Sequence, residues 1–424
     1  MDEHLKEVLF WKYCQSCKHK EKTEEQEPCC NCLNEPGNID SHKPIFYERN
    51  DSIQSDETVV YNMPEYRDEY LYFMQYEKYD YDYAERYFKS RGDLVIPPTG
   101  CSVVKNGPYI GRQLDWYYNN DAEFIVKTRN TKNRFATLGV CGGLSELSRD
   151  FVRHQAYSEL YKIVPFHMYD GINQYGLFAN INVVPNDKGN NVANARILEK
   201  RKLSALMLIR FVLDKFRSAN EAVYYIRDYC TVYFPKALHD MNFESHFMIA
   251  DKNSAYVLEF VNNHTEIINM PIMTNFHLFG VTFNPDGTVE TPETGNAILT
   301  NGITPHGSGL ERFNLIVNNY DSCNSAGGMR EMCNKLMYSK TYLTAPEIAN
   351  PFWYSEYVGG NNRLDSPVEQ LRATAERIAP DYTNRVRGDN KTWHSTHSVV
   401  YDLNNLTMDI ITQENGKRMR FCLR

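Results

Sequence analysis

No stretch of this chain comes near the ~18 uncharged apolar residues that a membrane helix needs, which argues against a helical membrane protein. The opening Met1-Asp2-Glu3-His4-Leu5-Lys6 has neither the basic start nor the apolar core of a secretory signal, so a cytoplasmic location is expected. Positive charge is also short: 46 Lys+Arg stand against 54 Asp+Glu, a net charge of −8. The first hundred residues alone carry −9, which leaves the rest at +1 (−8 minus −9). Acidity of that kind argues against binding a nucleic-acid backbone. Internal repeats are absent. The cysteines are odd in number, eleven in 424 residues, and five of them fall between positions 14 and 32. A chain this long builds a core without staples, so reduced thiols are expected rather than a disulfide scaffold. What is present is globular in character, 42% hydrophobic and 24% charged, with length for two or three domains.

The cysteine cluster reads Cys14-Gln-Ser-Cys17, eleven residues, then Cys29-Cys30-Asn-Cys32. Each C-x2-C pair turns two thiolates onto one cation, and four sulfurs close a tetrahedral zinc site. Cys14, Cys17, Cys29 and Cys32 are the expected ligands, with Cys30 or His19 as substitutes. A fifty-residue segment buries little apolar area, so metal would supply much of its folding energy. The plainer alternative is a set of free thiols or one redox dithiol. Residues 1–50 are therefore read as a small zinc module with no chemistry of its own.

Residues 51–100 hold nine of the thirty tyrosines. From Pro64 to Ser90 the spacing predicts a helix with Tyr66, Tyr70, Phe73, Met74, Tyr81, Ala84 and Phe88 on one stripe. Such a stripe reads as a docking face, and the segment as an acidic helical linker or propeptide. Pro97-Pro98 then forces an extended approach to Thr99-Gly100-Cys101.

From Cys101 to Trp116 two apolar runs flank Asn106-Gly107, a strong hairpin signal. A turn centred there sets Val104 opposite Tyr109 and Cys101 opposite Arg112; Pro108 cannot donate the closing hydrogen bond, but a four-residue loop would keep the same register. A guanidinium beside a thiol favours the reactive thiolate. Asp115, three residues on, is placed to orient either group. An ordinary edge hairpin with a buried cysteine is the competing interpretation. Farther along, a long helix is expected over residues 197–217. A second helix follows, capped by Ser218 and Glu221. Hairpins are expected over 245–261 and 397–413. His167, His246, His394 and His397 lack metal-ligand spacing and are read as structural. Periodicity gives an α+β chain and no more.

Several strings in order carry a resemblance. Gly100-Cys101-Ser102 and Gly111-Arg-Gln-Leu-Asp-Trp116 resemble the start of the choloylglycine hydrolase/penicillin V acylase family, linear amide C–N hydrolases with an N-terminal nucleophile. Asp170-Gly-Ile-Asn173, Ser245-His-Phe-Met-Ile-Ala-Asp251, Thr274-Asn275, Glu311-Arg-Phe313 and His397 to Thr407 are similar to later family motifs. The resemblance spans residues 101–424 and implies a four-layer αββα sandwich. It implies a cysteine amidohydrolase with Cys101 as nucleophile and no catalytic cofactor. Arg112 and Arg312 would hold the nucleophile, Asp115 its α-amine, and Asn275 with Asn182 the oxyanion. Asn180 competes with Asn182 for the last place. Two departures stand out: Gln113 replaces the family's usual asparagine, and a hundred residues precede Cys101. Some relatives carry a propeptide of that scale and cleave themselves before the cysteine. The implied partner is a small amide, such as a conjugated bile salt, a penicillin or another N-acyl amine. Neither nucleic acid nor membrane is expected, and homo-oligomerisation stays open. An acyltransferase of the same fold, or an unprocessed and inactive hydrolase-like domain, are the alternatives.

Overall fold

The computed structural model describes Glu21 and residues 52–55, 58–62, 71–90, 101–116, 122–142, 159–185, 192–197, 201–234, 243–261, 263–279, 282–283, 289–290, 303–304, 307–308, 310–338, 394–412 and 418–423. Cys14, Cys17, Cys29 and Cys32, the cysteines expected to bind zinc, lie outside these residues, as do Cys30 and His19.

Two large sheets face one another. The first has ten strands, in the order 52–55, 58–62, 71–76, 123–128, 137–141, 168–173, 178–185, 243–250, 255–261 and 264–269. The second has six, in the order 272–273, 101–106, 109–116, 394–402, 407–412 and 418–422. Phe73 stacked on Phe421 (ring centroids 6.0 Å apart) and Phe178 against Tyr401 (5.3 Å) seal the space between them. The outer face of the ten-stranded sheet is covered by the helices Tyr81–Ser90, Leu208–Lys215 and Ala219–Tyr229. Helices Leu310–Asn319 and Ala326–Tyr338 cover the far side of the six-stranded sheet. The layer order is thus helix, sheet, sheet, helix. Gly111 lets the last layer close in, because a Cβ there would lie 2.7 Å from Cys333 Sγ and 2.8 Å from Met329 Sδ. Among the described residues no helix is long and apolar enough to cross a membrane.

The segment before Cys101 departs from the expected single helix. Leu71–Tyr76 is a strand inside the ten-stranded sheet, and among the described residues of this segment only Tyr81–Ser90 is helical. The strand runs parallel to Glu123–Thr128, with Leu71 beside Glu123 and Tyr76 beside Thr128. Tyr72, Met74 and Tyr76 enter the helix-side core while Leu71 and Phe73 enter the core between the sheets. A strand buried on both faces reads as one continuous apolar run, which carries no helix-or-strand period. Tyr79 and Tyr81 then donate hydrogen bonds to the two oxygens of the Asp214 carboxylate, each at 2.7 Å. Residues 71–90 thus contribute a strand to the ten-stranded sheet and a helix to the layer that covers it.

The expected helix over 197–217 is also divided. Arg201–Ser204 is a strand parallel to Cys230–Tyr233, and the α-helix covers Leu208–Lys215. The next helix begins as expected. Ser218 Oγ accepts from Glu221 N (3.3 Å), and the Glu221 carboxylate accepts from Arg217 N (3.2 Å). Hairpins form at 243–261 and 394–412.

Candidate active site

Cys101 is the first residue of strand Cys101–Asn106, which pairs on one side with Tyr109–Trp116 and on the other with Ile272–Met273. The hairpin register differs from expectation by two residues. Asn106 pairs with Tyr109 and Cys101 with Leu114, so Arg112 stands opposite Val103. Pro108, lacking an N–H, cannot close a two-residue turn centred on Asn106-Gly107. The turn moves onto Gly107-Pro108 rather than opening into a four-residue loop, and Gly107 takes a positive φ of 56°, the left-handed region a side chain resists. A shift of two keeps every side chain on its face. Arg112 therefore becomes a diagonal neighbour of Cys101, still within reach of a long side chain. Its Nη2 donates to Cys101 Sγ at 3.5 Å and to the Ile181 carbonyl at 3.2 Å, and its Nη1 donates to the Gln113 carbonyl.

Asn275 arrives by register on the opposite edge. Met273 pairs with Val103, and two further residues along the same register bring Asn275 level with Cys101. Its Oδ1 accepts from Cys101 N at 2.5 Å, and its Nδ2 donates to the Val183 carbonyl at 2.7 Å. Asn275 also pairs with Ser308, just ahead of the helix Leu310–Asn319, whose first turn carries Arg312. Arg312 donates from Nη1 to the Cys101 carbonyl (2.6 Å) and Ser102 Oγ (3.1 Å), and from Nη2 to Asn275 Oδ1 (3.0 Å). Cys101, Arg112, Asn275 and Arg312 thus meet, all buried.

Asn182 lies one bond farther out. Its Nδ2 donates to the Thr274 carbonyl at 2.8 Å, while Asn180 Nδ2 donates to Asn182 Oδ1 at 3.0 Å. Of the two competitors, Asn182 is the one at the turn that carries Asn275. The backbone of Asp115 lies opposite Ser395 in the six-stranded sheet, and its side chain is outside the described residues.

Behind these side chains stand His246, read from the sequence as structural, and Glu259, to which that reading gives no role. His246 faces Glu259 through Nδ1 (3.0 Å) and the Thr274 carbonyl through Nε2 (2.8 Å). Glu259 accepts from Leu278 N (2.7 Å) and Phe279 N (2.9 Å). Burial alone would raise the Glu259 carboxyl. The bonds and charges of His246 and His277 outweigh it and hold the group far below the ordinary carboxylate range. This buried pair anchors both ends of the Thr274–Phe279 turn. An acidic residue inside the otherwise apolar Ala255–Val261 was its one sequence signal.

Arranged this way, the site sets a thiol beside one guanidinium. Its backbone nitrogen and carbonyl are fixed by an amide and a second guanidinium. Among the described residues no group of three or more His, Cys, Asp or Glu side chains is placed to hold a metal ion.

Two of the solved structures similar to this chain are a mutant conjugated bile acid hydrolase from Clostridium perfringens and the penicillin V acylase from Agrobacterium tumefaciens. The first is 14% identical over 76% of this chain and 92% of that one, with a TM-score of 0.39. The second is 12% identical over 77% and 86%, with a TM-score of 0.33. No curated protein matches by sequence. Residues 102–285 match the family model described as linear amide C-N hydrolases, choloylglycine hydrolase family. The match starts directly after Cys101, takes in Arg112, Asp115, Asn182 and Asn275, and stops short of Arg312. Residues 102–285 of this chain are thus similar to the linear amide C–N hydrolases of the choloylglycine hydrolase family, and the match supports an enzyme, a hydrolase acting on linear amides.

Proposed function

We propose that the protein is a cysteine amidohydrolase that cleaves an N-acyl amine or amino-acid conjugate through a thioester on Cys101. The observation that carries this reading is the set of contacts converging on one residue. Arg112 lies at Cys101 Sγ, Asn275 at its nitrogen, and Arg312 at its carbonyl. The reading also takes Cys101 as the first residue of a mature chain released by cleavage after Gly100. An α-amine has a reference pKa of ~7.7–8.0, so a useful fraction is neutral near pH 7. That amine accepts the thiol proton, and Sγ attacks the amide carbon. The amine then returns the proton to the leaving nitrogen as the C–N bond breaks. Water hydrolyses the thioester in a second step. Asp115 is assigned to the α-amine, and Asn182 with Asn275 to the oxyanion.

The test is a panel of amides, comprising a conjugated bile salt, penicillin V and several N-acyl amino acids, with release of the free amine measured directly. Purified protein that releases amine from none of them would count against the reading. Product partition with a competing amine separates hydrolysis from acyl transfer.

Asn275→Ala is expected to slow turnover by ~10²–10³, the usual cost of losing one oxyanion donor. Asn275→Asp keeps an acceptor toward Cys101 N and removes the NH2 donor. Equal slowing in both variants assigns the effect to the donor, and an undiminished kcat in Asn275→Ala removes the residue from the mechanism.

The N-terminal cysteines are proposed to bind one zinc through Cys14, Cys17, Cys29 and Cys32. Metal analysis of protein made in zinc-supplemented medium should find one zinc per chain. Chelation should unfold this module and leave the hydrolase domain intact. Protein free of zinc would end the proposal.

A further inference from the structure

Between the two sheets, behind Arg112, stand charged groups that the mechanism above does not use. Arg112, His397 and Tyr401 share one face of the six-stranded sheet. Val399 pairs with Arg112, and His397 and Tyr401 flank Val399 at two residues on either side. From the facing sheet, Asp170 meets all three. Its Oδ1 accepts from the Tyr401 hydroxyl, and its Oδ2 lies 3.5 Å from Arg112 Nε and 3.9 Å from His397 Nε2. His397 Nδ1 bonds Glu123 Oε2 at 3.0 Å. Asp170, Arg112 and His397 are all fully buried.

We propose that Asp170, oriented by Tyr401 and His397, is a positioning residue that fixes the Arg112 guanidinium on the Cys101 sulfur. The proposal rests on the reading of Cys101 as the nucleophile.

A guanidinium is a rigid planar fork, so bonding its edges from separate elements fixes its plane. Here Nη1 is engaged by the Gln113 carbonyl of its own strand and Nη2 by the Ile181 carbonyl of the other sheet. Asp170 takes the Nε side from a third strand, which leaves the Nη2 corner aimed at Sγ. The carboxylate is itself fixed from both ends. Burial would lower the His397 pKa, but the Glu123 and Asp170 carboxylates outweigh it and raise it to about 9. His397 is therefore a cation at neutral pH, and signs alternate along Glu123, His397, Asp170 and Arg112. Apolar side chains of similar volume would fill such a space at equal or lower cost than buried ions. A row of charges kept there, and ending at the thiol, points to orientation rather than to stability.

The experiment follows alkylation of Cys101 by iodoacetamide, read by peptide mass spectrometry on the full-length protein, in a double-mutant cycle of Asp170→Asn and Arg112→Lys. Asp170→Asn should slow alkylation about tenfold when Arg112 is present and add less than about twofold on top of Arg112→Lys, since a positioning residue acts through its partner. Tyr401→Phe removes one bond and no charge. It keeps the test available if Asp170→Asn does not fold, with a slowing of about threefold expected. Against an amide substrate both changes should lower kcat with KM nearly unchanged. Equal slowing with and without Arg112→Lys, or folded variants that alkylate at the wild-type rate, would overturn the proposal. Failure of the nucleophile reading is seen separately, as amide hydrolysis that survives Cys101→Ala.

Discussion

Cys101→Ala is expected to abolish amide hydrolysis, by at least ~10³-fold, and to leave the Gly100–Cys101 bond intact. Both losses have one physical origin. While the chain is continuous, the Cys101 nitrogen is a backbone amide, here donating to Asn275 Oδ1 at 2.5 Å, and an amide nitrogen is no base at accessible pH. The continuous chain also buries Cys101, 1% exposed. In the proposed activation the thiolate attacks the Gly100 carbonyl carbon. The C–S bond forms, the C–N bond breaks, and the nitrogen takes a proton to become the α-amine. Water then cleaves this thioester, leaving a Gly100 carboxylate, a free thiol and a free amine. Alanine lacks the sulfur for either attack. Serine keeps an oxygen nucleophile of far lower acidity and should cleave slowly. N-terminal sequencing of active protein beside the Ala variant decides the matter. An active enzyme still continuous through Gly100-Cys101 would overturn this route and require a separate general base.

The second large effect concerns the residues ahead of the nucleophile. A chain that begins at Cys101 should fail to fold alone and should recover when residues 1–100 are supplied as a separate polypeptide. Leu71, Tyr72, Phe73, Met74 and Tyr76 are each no more than 1% exposed. Burying one such apolar side chain stabilises by roughly 1.5–3 kcal/mol, while a whole domain is stable by only about 5–15 kcal/mol. Removing the strand also exposes the edge of Glu123–Thr128 and strips two tyrosine hydroxyls from the buried Asp214 carboxylate. The same contacts predict that cleavage before Cys101 leaves the two pieces associated through size exclusion under native conditions. Phe73→Ala, at the stack on Phe421, should cost about 3–5 kcal/mol. A soluble 101–424 fragment with the melting temperature of the full chain would refute the structural role given to this segment.

How far these features could be read from the residues depends on how local their causes are. The helix Ala219–Tyr229 was legible because its cap, Ser218 with Glu221, sits within four residues. The hairpin carrying Cys101 and Arg112 was legible as a hairpin, and its parity was correct. Its register was not, because Pro108 allows either a four-residue loop or a tighter turn on Gly107-Pro108, and the pairing takes the second. The strand Leu71–Tyr76 was taken for helix because burial on both faces removes alternation, and that burial comes from neighbours far away in the chain. The zinc-ligand spacing is the most local feature of all, and it belongs to residues outside those described.

By itself the sequence determined the chemistry carried by the chain. It supplied a cysteine after a glycine, two arginines and an asparagine in a particular order, and an acidic aromatic segment ahead of them. Only the tertiary structure decided what surrounds them. Asp170 comes from one sheet and Arg112, His397 and Tyr401 from the other, so their meeting depends on how two sheets stack. Asn275 reaches Cys101 because an edge strand more than 150 residues away pairs in one register rather than another. Side-chain identity is written residue by residue, but distance and burial are set by pairing and packing between segments far apart in sequence.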